Sequence, residues 1–189
     1  MEQKKNRVLY GRAKPGDDIL VTKWIGLEGT VRIARQKKQE LLRRFPLFMI
    51  EEAVGFSCLL QVLAEVKLAA KQSTPRLELA AGGVFGGLWE FAEYAGVGLE
   101  ISLKKIPIRQ ETIEICNFYD INPYLLLSGG SLLLAAKDGH GLADQLRAAG
   151  IFAAVVGKAA AGNDRVVLNG DGRRFLEPPR WDEVDKVSG

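Results

Sequence analysis

Ala80-Ala-Gly-Gly-Val-Phe-Gly-Gly-Leu-Trp-Glu-Phe-Ala-Glu-Tyr-Ala-Gly-Val-Gly-Leu-Glu-Ile101 decides how this chain folds. It reads as the end of a strand, a glycine turn, an amphipathic helix, a glycine stop and a new strand. Val84, Leu88, Phe91, Ala92 and Ala95 recur at helical spacing. Gly96 stands where helices commonly end on glycine. Gly82 and Gly83 lack a Cβ, so their amides can approach a neighbour or an anion closely. A helix opening behind them offers unpaired N–H groups and a positive dipole end, which suits phosphate. By itself a glycine turn is better read as serving tight helix–sheet packing.

Outward from this stretch the chain alternates strands and helices. Asp18 to Trp24 is strand-like, after a Lys14-Pro-Gly-Asp17 turn. Asp17 and Asp18 invite a metal reading, but an aspartate after Pro-Gly commonly bonds its own backbone. Thr22-Lys-Trp-Ile-Gly-Leu-Glu-Gly-Thr30 places a strand-to-helix turn between two glycines. Val31 to Phe45 reads as a helix, and Phe48 to Lys71 as one long helix or two with a bend near Gly55 or Ser57. Arg76 to Ala80 is a short strand leading into the central glycines. Tyr124 to Ala136 reads as two buried strands pinched at Ser128-Gly-Gly-Ser131, a candidate anion nest or a plain bulge. Asp138 is the expected start of a helix ending near Gly150. Asn169-Gly-Asp-Gly172 has hairpin-turn composition. A short strand is also expected over Arg7 to Arg12. A single domain over 1–176 with a fraying polar tail over 177–189 follows. Its class is a layered α+β or α/β fold, a mixed sheet with helices packed on it.

Composition narrows the function. The 189 residues suffice for one sizeable core, with 47% hydrophobic and 26% charged residues. A net charge of +3 is too mild to imply nucleic acid. Arg32, Arg35, Lys37, Lys38, Arg43 and Arg44 face one acid, Glu40, but no aromatic residue interleaves them, so base stacking is not suggested. Two distant cysteines, Cys58 and Cys116, read as reduced thiols in a cytoplasmic protein. One histidine, His140, and no close cysteine pair give no zinc pattern. No apolar run follows the polar first residues, and Ala53 to Ala64 falls short of a membrane span.

The central stretch, the Lys-Pro-Gly-Asp turn and Ile25-Gly-Leu-Glu-Gly-Thr30 together resemble the second domain of the AIR synthase (aminoimidazole ribonucleotide synthetase) superfamily. The likeness is nearest to the hydrogenase maturation factor branch that makes the nickel–iron cyanide ligands. It covers roughly residues 8–175. These enzymes use ATP, and their first domain carries most ATP and magnesium ligands and usually forms the dimer. The resemblance therefore implies a second-domain-type chain without catalytic activity alone, meeting ATP and Mg through a first domain supplied in trans. Gly82, Gly83, Ser128, Gly129 and Gly130 would line a phosphate or substrate pocket, with Glu78, Thr22 and Lys23 as polar candidates. No catalytic residue and no metal ligand is assigned.

The pattern also departs from the family. Active members usually write His-Asp-x-Thr, one polar residue, then the two glycines. Here Leu77 and Glu78 stand for histidine and aspartate, and Ala80 and Ala81 for threonine and the polar residue. Nor does Trp181-Asp-Glu-Val-Asp-Lys-Val-Ser-Gly189 hold the cysteine that carries the carbamoyl group in the hydrogenase branch. The alternative is a non-catalytic interaction protein that kept the fold and self-associates.

Overall fold

The computed structural model describes residues 9–72, 74–178 and 181–187. Its centre is β1 (Asp18–Thr22), buried along its whole length. Ile19 and Val21 point to one face of the sheet and Leu20 to the other, as the two-residue repeat of a strand requires. Both faces are covered, so the strand is apolar throughout.

The chain then runs through α1 (Leu27–Gln36), α2 (Lys38–Leu41), α3 (Leu47–Gly55) and α4 (Leu63–Lys71). The helix expected over Val31 to Phe45 breaks at Lys37, whose backbone leaves helical geometry. The six basic side chains named above lie mostly outward, with Ile33, Ala34 and Leu41 buried beneath them. The bend expected near Gly55 or Ser57 falls a few residues later: a 3₁₀ turn at Phe56–Leu59 continues α3, and α4 departs by 42° after the break at residues 60–62. No single helix among the described residues is long and apolar enough to cross a membrane.

Next come β2 (Arg76–Glu78), α5 (Gly83–Ala95), β3 (Gly98–Ser102), α6 (Gln110–Phe118), β4 (Leu132–Ala136), α7 (Gly139–Ala148), β5 (Ala153–Ala160), β6 (Arg165–Asn169) and β7 (Gly172–Phe175). The seven strands form one mixed sheet in the order β2-β4-β1-β5-β3-β6-β7. All neighbours are antiparallel except β3 and β6. The fold is the expected α+β layer with helices on the sheet.

Helix α5 packs Val84, Leu88, Phe91 and Ala92 on one face, against Ile19, Val21, Leu77 and Leu133. Helices α4 and α7 cover the other face, where Ala69, Leu142 and Leu146 meet Leu20, Leu132 and Leu134. Each fully buried leucine contributes about 1.5–3 kcal/mol. A third cluster joins α1, α3 and α6 at one end of the sheet. Asp138 caps α7 by accepting from Gly141 N at 2.9 Å, and Gly150 follows that helix at φ 78.

Three expectations need correction. Tyr124 to Leu127 is not a strand. The Asn122 side chain accepts from Tyr124 N, Pro123 opens a 3₁₀ turn, and the Leu127 amide is spent on a distant carboxylate instead of a ladder. Second, the end of the chain does not fray where it is described. Val184 and Val187 are buried in the α1–α3–α6 cluster, and Asp182 and Glu183 are 7% and 3% exposed. Third, of the strand expected over Arg7 to Arg12, residues 7 and 8 lie outside the described residues. Tyr10 forms a single bridge to Arg76 there.

Candidate functional site

The two glycine pinches meet at one end of the sheet. After β2, Leu79 N donates to Ser131 O at 2.9 Å, and Ser128 N donates to Ala80 O at 3.2 Å. Gly82 and Gly83 take φ 81 and 62, so both need the left-handed freedom of glycine. A Cβ on Gly83 would also run into the Tyr124 carbonyl and stand 2.7 Å from the Leu125 carbonyl carbon. Thus α5 begins pressed against the segment that leads into Ser128.

The anion at this turn is the chain's own. Asp182 Oδ2 accepts from Gly82 N at 2.8 Å, and Oδ1 accepts from Leu127 N at 3.0 Å and Val184 N at 2.9 Å. One carboxylate therefore ties the glycine turn, the approach to Ser128 and the C-terminal segment together. Burial raises the Asp182 pKa from its ordinary value, outweighing these three N–H donors. The sequence reading missed Asp182. An aspartate before an apolar-containing turn was the available signal, and Asp182 does open the 3₁₀ turn Glu183–Lys186.

The other candidates have internal partners as well. Ser128 Oγ accepts from Gly26 N at 2.8 Å and donates to Leu126 O at 2.7 Å. It serves the start of α1 as Asp182 serves the start of α5. A Cβ on Gly129 would strike the Glu28 carboxylate, and one on Gly130 would lie 2.8 Å from Leu60 Cα. Both glycines let the pinch pack against α1 and the bend before α4. Thr22 Oγ1 accepts from Leu132 N at 2.9 Å, splicing β1 to β4 beyond their ladder. Lys23 is buried at φ 53, and its Nζ reaches Leu59 O, Gln61 O and Glu65 Oε1, each at 2.7 Å. It fastens the bent helices to the sheet. Glu78 is half-buried at the end of β2. Asp17 closes its own turn, accepting from Lys14 N at 2.8 Å. Asp18 accepts from Gly139 N at 3.0 Å. Among the described residues no group of three His, Cys, Asp or Glu side chains could hold a metal ion.

Beside the Asp182 junction lies an open cleft of about 740 Å³. Phe85, Leu125, Arg174, Trp181 and Glu183 contribute to its walls, and none of the eight candidates does. Phe85 stacks on Tyr124 at 5.1 Å, with the Arg174 guanidinium 5.5 Å from the Phe85 ring centre. Burial raises the Tyr124 pKa, and Arg174 opposes that shift.

Residues 14–169 match the family model described as AIR synthase related protein, C-terminal domain. The chain belongs to this family. Carbamoyl dehydratase HypE of Rhodobacter capsulatus is 29% identical over 155 residues, which is 80% of this chain and 44% of that protein. The E. coli HypE structure, a hydrogenase maturation protein, superposes with a TM-score of 0.71 at 18% identity, over 94% of this chain and 55% of that one. A HypE structure in complex with ATP gives a TM-score of 0.66 at 17% identity, over 93% and 54%. The chain spans about half the length of these relatives. Within this family fold, the Gly82–Gly83 turn lies against the Ser128–Ser131 pinch, with Asp182 between the turn and the start of that segment.

Proposed function

We propose that this chain is catalytically silent alone and acts as the second half of a two-part, hydrogenase-maturation-like assembly in the cytoplasm. ATP and magnesium reach it only together with a first-domain-type unit. The observation that carries this reading is the Asp182 carboxylate on the amides of Gly82 and Leu127. An anion bound there from outside must displace an internal one. Ala80 and Ala81 support the same reading, because neither side chain can donate to a phosphate oxygen. The roles of Ser128, Thr22 and Lys23 point the same way, since their polar atoms already serve the fold.

Titration calorimetry with ATP and magnesium tests it. The chain alone is expected to give no binding heat, and a mixture with a candidate first domain is expected to bind and hydrolyse ATP. Hydrolysis by the chain alone would overturn the proposal. Silence with every candidate partner would favour the second reading, a non-catalytic relative that works by association. That reading draws on the alanines at the turn.

A further inference from the structure

The sheet has one edge whose exposed side chains are complementary to themselves. Strand β7 is last in the sheet order, and all four of its residues are exposed. Among the described residues it pairs only with β6, in an unbroken register from Asn169↔Gly172 to Val166↔Phe175. Leu176 N continues the ladder by donating to Arg165 O at 2.7 Å. Gly170 has φ 60, the positive φ that a type II′ hairpin turn needs at its first loop residue.

Antiparallel ladders alternate, so residues 172, 174 and 176 direct their backbone groups at β6. Arg173 and Phe175 direct theirs outward, and the alternation carried on by Leu176 places Glu177, just past the end of β7, outward as well. Such an open edge is a template for another strand. Phe175 is 63% exposed in the middle of it.

We propose that this edge pairs with the same edge of a second copy, antiparallel and centred on Phe175. The two-fold axis makes the contact self-complementary. Phe175 then faces its own counterpart, and Arg173 of each copy faces Glu177 of the other, at both ends of the pairing. Arg174 lies opposite Leu176 of the other copy. Moving the centre to Arg174 sets two guanidinium groups directly opposite each other, and centring on Arg173 does the same. Like charges directly opposed destabilise a strand pair, whereas aromatic and opposite-charge pairs favour it. Charge therefore disfavours the registers centred on Arg173 and Arg174 and favours the one that sets Arg173 against Glu177 at both ends. The contact is independent of ATP, so it stands or falls apart from the function proposed above.

Sedimentation velocity across a concentration series tests the proposal on four proteins: wild type, Arg173→Glu, Glu177→Arg, and the double variant. All the altered side chains are exposed, so folding is expected to be unaffected, and circular dichroism checks it. Wild type should dimerise. Either single reversal replaces two attractive contacts by two repulsive ones and should weaken the dimer at least about tenfold. The double variant restores opposite charges at both ends and should return dimerisation to near the wild-type level. A wild type that stays monomeric at near-millimolar concentration overturns the proposal. So does a dimer indifferent to the single reversals, or a double variant no better than either single one.

Discussion

Asp182 Oδ2 lies 2.8 Å from Gly82 N, linking residues 100 positions apart at the start of α5. A helix start needs its first amides satisfied, and here a side chain from the far end of the chain supplies one partner. The contact also explains why Trp181 to Val187 is held in place. Its two valines fill apolar space while its aspartate satisfies three amides.

Asp182→Ala should destabilise the protein by about 1–3 kcal/mol, because buried amides lose their acceptor. The pH dependence has a definite sign. The folded pKa is raised, so the folded protein retains a proton that the unfolded chain has already released. This group's contribution is fully present below the ordinary carboxylate value and is lost as pH rises through the folded value. Urea unfolding of wild type and Asp182→Asn between pH 3 and 8, an interval of about five units around that window, should show wild type losing ground to Asp182→Asn as pH rises. Parallel curves would refute the assignment.

Lys23→Met strands the Glu65 carboxylate and the carbonyls of Leu59 and Gln61. Removing one partner of a buried pair costs about 3–5 kcal/mol. The double variant Lys23→Met with Glu65→Leu should recover part of that loss, since no lone charge stays buried. Denaturant midpoints for the three proteins decide it; equal loss in single and double variants would contradict the pairing argument.

The two thiols should react at very different rates. Cys58 is exposed and Cys116 is buried. Burial, with Glu183 adding to it, pushes the Cys116 thiol up to about 12. Ellman's reagent at pH 8 should titrate one thiol promptly in the native protein and two after unfolding. Rapid reaction of both in the native state would mean that the segment carrying Glu183 opens readily.

Much of the fold was legible in the residues. Apolar spacing from Val84 to Ala95 placed α5, with glycines at both ends, because helix period and chain reversal are local properties. The β1 strand, the turn at Asp17, the cap at Asp138 and the hairpin at Gly170 were readable for the same reason. Tyr124 to Leu127 was misread because apolar runs do not distinguish a strand from an extended crossing segment. What tells them apart is where the backbone amides go, and Leu127 gives its amide to Asp182.

The site divided along the same line. The sequence by itself determined that Gly82–Gly83 and Ser128 to Ser131 are bends, because glycine lets the chain reverse there, and it left the second open between an anion nest and a plain bulge. Only the tertiary structure decided that the bends meet, and that Asp182, Gly26 and Leu132 supply or claim the polar partners around them. The physical reason is range. Turn and helix preferences act over a few residues, whereas a hydrogen bond spanning 100 positions exists only once the sheet has closed and its core is buried.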